Sequence, residues 1–291
     1  MARPVVLGNN GLTVGLNENG YVHDFYYPYV GLENLTTARS NPHYVGVWVD
    51  GQFSWLHEKS WVKNINFSSD ALIGTSTLSN DILELKLTFT DFVDSGHDVF
   101  ARKVIVDNLS DTDREIRLFF HQAFQISSEG RADTAMYVPD GHYILDYKGR
   151  CSILAFAEHS DGIAFDEWAV GNTGIEGKEG TFRDSEDGSL SKSAVEHASV
   201  DSTLRCSFTT PARQETEVRY WLCVSDSQFR LEDMHTRMLN GGFYKRLRAT
   251  RQHWYDWLDI SAEKRQNIPE HYQQTVAKSL MILKSHIDEH G

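Results

Sequence analysis

The chain has 291 residues, of which 40% are apolar, 12% aromatic and 24% charged, the balance of a folded globular protein and not of a disordered or fibrous one. Twenty-eight basic residues against 41 acidic ones give a formal net charge of −13, a sign that repels phosphate backbones and anionic lipid and so argues against nucleic acid or a membrane as partner. The surplus is uneven: residues 226–291 hold 10 basic against 9 acidic side chains, and residues 1–225 hold the remaining acidity together with 18 of the 21 glycines and five of the six prolines.

Turn chemistry concentrated in 1–225 is what a strand-rich segment needs. The start, Met1-Ala2-Arg3-Pro4-Val5-Val6-Leu7-Gly8, lacks the apolar stretch of a secretion signal, and no run reaches the length of a membrane span, so a cytoplasmic location is expected. The first segment with chemical character is His23-Asp24-Phe25-Tyr26-Tyr27-Pro28-Tyr29-Val30-Gly31. It combines flat apolar rings with hydroxyl, imidazole and carboxylate groups, which suits a sugar ring or a tightly packed corner of a sandwich. Val45 to Leu56 reads as a hairpin about Asp50-Gly51, a pair that supplies the positive φ angles of a type I′ turn. Leu83 to Thr90 alternates strictly between apolar and polar residues, the mark of a half-buried strand. Further strands are expected near 99–106, 115–124, 143–147 and 151–158. From Gly171 to Ser202 the pattern lapses into Gly, Asp, Glu and Ser, which reads as a solvated acidic loop. Glu217 to Val224 resumes the alternation but carries Trp221 and Cys223 on its second face, so both faces should be covered. Short connections and the absence of helical crossovers predict an all-β, large antiparallel two-sheet sandwich over 1–225.

The remainder reads as helical: a linker over 226–266, with helices at 228–240 and 243–258 divided by Gly241-Gly242, and a last helix in 267–291. Phe243, Leu247, Trp254 and Leu258 form one stripe that should pack on the sandwich. Pro269 falls in the first turn of the last helix, whose stripe is Tyr272, Val276, Leu280, Leu283 and Ile287, widened by Met281 and Ile282. So apolar a helix needs cover. It folds back on the sandwich, pairs with its copy in a homodimer, or begins a unit whose other helices lie outside this sequence.

No phosphate loop, dinucleotide fingerprint or G-x-S-x-G elbow occurs. Cys151, Cys206 and Cys223 are an odd number without a C-x-x-C pair and read as buried thiols. His286 and His290 have the spacing of a helical metal pair but sit at a fraying end, so no metal site and no cofactor are expected. Asp184, Glu186 and Asp187 read as loop charges.

Taken together, Gly8-Asn9-Asn10-Gly11-Leu12, the block His23 to Gly31 with Glu33-Asn34, the hairpin Gly46 to Gly51, the loop Gly180 to Gly188 through Ser199 to Ser202, and Ala277 to Lys284 resemble the amino-terminal region of glycoside hydrolase family 15, in its glucoamylase-like and trehalase-like members. The resemblance implies a super-β-sandwich, linker helices, and the first helix of an (α/α)6 catalytic barrel that is otherwise absent here. It implies inverting hydrolysis of a terminal α-glucosidic bond, in an oligosaccharide or trehalose, by two glutamates on that barrel, neither of which has a counterpart in this chain. The 291 residues alone are then expected to be inactive and to support the barrel, with no catalytic residue of their own. His23, Asp24, Tyr26 and Tyr27 are the expected substrate-lining residues, followed by Trp48. Two rivals stand beside this: a free-standing carbohydrate-binding or regulatory module, and a mutarotase-like sandwich using His121, His142 and Asp146.

Overall fold

The computed structural model describes residues 3–36, 43–127, 132–265 and 267–287, without the side chain of Lys264. Its strands are β1 (Val5–Gly8), β2 (Thr13–Leu16), β3 (Val22–Tyr26), β4 (Val45–Val49), β5 (Gln52–Trp55), β6 (Val62–Phe67), β7 (Ile73–Asn80), β8 (Leu85–Val93), β9 (Val99–Asn108), β10 (Arg114–Gln122), β11 (Asp133–Val138), β12 (Tyr143–Lys148), β13 (Cys151–His159), β14 (Glu167–Asn172), β15 (Val195–Ala198), β16 (Val200–Thr210) and β17 (Glu215–Ser225). The helices α1 (Gln228–Met238), α2 (Gly242–Asp259), α3 (Ala262–Arg265) and α4 (Glu270–Ser285) follow.

Strand pairing is antiparallel throughout, as the short connections predict. A nine-stranded sheet, β15-β11-β12-β13-β17-β9-β8-β7-β6, faces a five-stranded sheet, β14-β16-β10-β4-β5, and a three-stranded sheet, β1-β2-β3, packs against the β6–β8 end of the larger one. Phe120 of β10 stacks on Tyr220 of β17, with ring centroids 4.7 Å apart, and this pair marks the core between the sheets. The next residue, Trp221, points the other way, where its indole N–H donates to His235 of α1 at 3.1 Å. That explains the two apolar faces of β17: one meets the partner sheet and the other meets a helix. The hairpin between β4 and β5 turns on Asp50 and Gly51 with φ of 52° and 77°, as Asp-Gly predicts. Cys206 and Cys223 are buried, while Cys151 is half-buried.

The helical segment shares the core. Phe243 of α2 meets Phe92 of β8 edge to face at 5.3 Å, and Trp254 and Leu258 are buried on the same stripe. Gly242 starts α2 so close to α1 that a Cβ there would lie 1.8 Å from the Arg237 carbonyl oxygen. Gly242→Ala must therefore open the α1–α2 joint; a loss above about 2 kcal/mol in urea unfolding is expected, on the scale of other overpacked sites.

Three expectations need correction. Pro269 is the cap preceding α4 and not part of its first turn. The buried face of α4 is Ala277, Met281 and Ser285, whereas Tyr272, Leu283 and Ile287 of the predicted stripe are exposed. Small residues let the helix approach β1 closely, and a pattern weighted by large apolar side chains does not register them. Finally, 171–202 is only partly a solvated loop. Val195–Ala198 forms edge strand β15, and Asp184–Asp187 forms a 3-10 turn in which Ser185 is buried. Phe182 packs on Tyr44 and His121, and the Thr181 N–H and hydroxyl both donate to Asp201.

Candidate functional site

Strand β3 carries the His23-Asp24 pair to the end of the small sheet. Asp24 is opposite Gly15 in β2, where a Cβ would sit 2.5 Å from its Oδ2, so the glycine makes room for the carboxylate. Arg3 fills the space beyond: its guanidinium donates to both Asp24 oxygens and to His23 Nδ1. The Asn34 amide adds a donor to Asp24 Oδ1 at 3.1 Å. Burial pushes the Asp24 carboxyl up, but the Arg3 hydrogen bond and charge, helped by His23, hold it below the ordinary carboxylate range. His23 and Asp24 are thus committed to an ion-paired clasp. Tyr26 beside them is partly buried, which raises its phenol pKa.

Tyr27 is placed differently. After β3 the chain enters a cis Tyr27-Pro28 peptide bond, and Tyr27 walls three adjacent depressions. The first, about 310 Å³, is lined by polar groups of Asn9, Asn10, His97 and Asp98 with Tyr29. The second, about 410 Å³, is more apolar and includes Pro28, Leu32, Leu35 and Ile126. The third, about 250 Å³, lies toward α1 at Arg230, Asp233 and Met234. Burial, reinforced by Asp98, Asp226 and Cys151, pushes the Tyr27 phenol up to about 12. It stays a neutral hydroxyl at any physiological pH.

The loop 94–98 that forms one wall is held from two directions. Asn9 donates to the carbonyls of Asp94 and His97 at 2.8 and 2.9 Å, while its own carbonyl oxygen accepts from Gly11 and Leu12. From α2, Arg246 pairs with both oxygens of the buried Asp94, and Thr250 Oγ1 accepts the Ser95 N–H at 3.0 Å. Asn10 donates to the carbonyls of Lys284 and Ile287, tying the last helix to the same corner. Asn9→Ala should cost roughly 1–3 kcal/mol, from four hydrogen bonds at about 1 kcal/mol each less partial replacement by water. Hydrogen exchange should show faster amides at Gly11, Leu12 and 94–98 and little change elsewhere; unchanged protection at these positions would contradict the clamp.

The other expected residues lie elsewhere. Trp48 is on β4, under the loop ending at Gly188, with the Arg117 guanidinium 4.0 Å above its ring, and it lines none of the Tyr27 depressions. His121 pairs with buried Asp201 at 3.0 Å, His142 engages the Tyr137 hydroxyl and the Phe165 carbonyl, and Asp146 hydrogen-bonds to neither histidine. The three do not form the set a mutarotase-like reaction requires. In the 3-10 turn, Asp184 and Asp187 accept backbone N–H groups and Glu186 accepts from Arg183 and Trp55, so these carboxylates organise their loop. His290 falls outside the described residues, and among those described no group of three or more His, Cys, Asp and Glu side chains gathers to hold a metal.

No protein-family model matches the chain. Half of it, 145 residues, is 26% identical to Uncharacterized glycosyl hydrolase MJ1610 of Methanocaldococcus jannaschii and covers 22% of that protein. In three dimensions, 98% of the chain superposes on 40% of a bacterial glucoamylase solved with acarbose, with a TM-score of 0.74 at 12% identity. A candidate kojibiose phosphorylase from human microbiome matches 86% of the chain over 35% of its own, with a TM-score of 0.52 at 10% identity. The chain spans well under half the length of each of these proteins. Its fold resembles the matching 40% of a bacterial glucoamylase, and half of its sequence is similar to part of a protein described as a glycosyl hydrolase.

Proposed function

We propose that this chain is the non-catalytic sandwich and linker of a glucoamylase-like α-glucosidase, with a sandwich over 1–225, a linker over 226–266 and the start of a helical catalytic barrel at 267–291. The observation that carries this reading is the superposition of nearly the whole chain on less than half of a glucoamylase. In this role the sandwich braces the barrel, α1 and α2 seat the linker on β8 and β17, and Tyr27 lends an aromatic wall to the substrate pocket. The exposed Tyr272 and Leu283 of α4, with Ile287 just after it, supply an apolar surface on which further helices would pack. The substrate of the whole enzyme would be an α-glucosidic oligosaccharide or trehalose, handled in the cytoplasm.

Incubating the chain with maltooligosaccharides and with trehalose tests the reading. No glucose release above buffer is expected. Turnover by material whose mass matches the 291 residues would overturn it.

A further inference from the structure

We propose that the depressions around Tyr27 form one glycan groove that accepts a linear α-glucan of at least three glucosyl units and disfavours trehalose; the choice of an α-glucan rests on the function proposed above. Tyr27 walls all three depressions, and Pro28, Gly96, His97 and Asp98 are each shared by two of them, so they are successive parts of one surface. Volumes of about 310, 410 and 250 Å³ are at or below the small end of ligand sites, so each suits one ring with its hydroxyls and none suits a whole oligosaccharide.

The lining offers both of the surfaces that a pyranose ring presents. Tyr27, Pro28, Leu32 and Leu35 offer apolar surface for C–H faces, while Asp98, Arg230 and Asp233 offer acceptors and donors for hydroxyl edges. The groove is also preorganised. Asn9, Arg246 and Thr250 hold the 94–98 wall, so little ordering of that wall is left for the ligand to impose. Trehalose joins only two rings through a single glycosidic link and can reach at most two of the three parts.

Calorimetry on the 291-residue chain with trehalose, maltose, maltotriose and maltopentaose decides the matter. Maltotriose is expected to bind at least tenfold more tightly than either disaccharide. Tyr27→Ala should weaken maltotriose at least tenfold. Asp98→Asn, which leaves the apolar wall filled, should weaken it severalfold, and Ile82→Ser at the opposite end of β8 should change nothing. Equal affinity for trehalose and maltotriose, failure of the folded chain to bind either, or binding indifferent to Tyr27→Ala would overturn the groove. These outcomes are separate from glucose release, which alone bears on whether the chain is catalytic.

Discussion

Replacing Arg102 by methionine should destabilise the chain by roughly 3–5 kcal/mol, the usual cost of removing one partner of a buried ion pair. Arg102 is 2% exposed, lies on β9, and donates to both oxygens of Asp91 on β8 at 2.6 and 3.0 Å. Its remaining reach goes to the Gly20 carbonyl, 2.6 Å away in the turn between β2 and β3, and its guanidinium lies 4.4 Å from the centre of the Phe89 ring. One side chain therefore fastens the small sheet to the large one, and the small sheet carries β3 and the Tyr27 corner behind it. Burial already lifts the Asp91 pKa against the pull of Arg102, so without the guanidinium the carboxyl must either stay charged and unpaired or take up a proton; both outcomes cost stability. Adding Asp91→Leu to Arg102→Met should restore more than half of the loss, because apolar replacement of both partners removes the orphan. Urea unfolding of the two variants and the parent measures this. A single variant within about 1 kcal/mol of the parent would show that the pair does not join the sheets energetically.

How far the sequence spoke for the structure depended on the range of the interaction that settled each element. Strand β8, the Asp50-Gly51 hairpin and the Phe243 stripe of α2 follow from local period and turn chemistry, and all three occur as expected. The order inside 171–202 does not, because Thr181 is fixed by Asp201 and Phe182 by Tyr44 and His121, contacts that no local pattern encodes. The face of α4 was misread because Ala277 and Ser285 are small, and closeness to β1, not size, decides their burial. At the candidate site Tyr27 is legible only as one of four aromatics in the block His23 to Gly31, and nothing in the sequence sets it apart from His23, Asp24 and Tyr26. The wall opposite it, 94–98, was invisible, since Asn9 holds it through backbone carbonyls 85 and 88 residues away. Trp48 follows the His23 to Tyr27 residues in what the resemblance implies, yet β4 sets it beneath a different loop.

Asp146→Asn should stabilise the chain at neutral pH, because the parent's carboxyl ionises freely only when the chain unfolds; the linkage is worth roughly 1.4 kcal/mol for each pH unit between the unfolded pKa and the lower of the working pH and the folded pKa. Asp146 lies on β12, paired across to Ala135 and Ile153, and is 5% exposed; its buried Oδ1 has no hydrogen-bond partner. Burial, with Asp133 and Asp201 adding like charge, raises its pKa well above the ordinary carboxylate value. The folded chain therefore holds this proton more tightly than the unfolded chain does. Between the unfolded pKa near 3.9 and the raised folded one, the native state binds the extra proton, so the group's effect on stability worsens as pH climbs through that window. Below it the carboxyl is protonated in both states and its charge costs nothing. An asparagine cannot ionise, so the gain over the parent should be smallest near pH 4, grow with pH and level off once the native carboxyl has ionised. Denaturation midpoints of the two proteins measured from pH 4 to 8 provide the test: parallel curves would mean that Asp146 finds a partner in solution, and a gain that shrinks with rising pH would mean that its pKa is depressed.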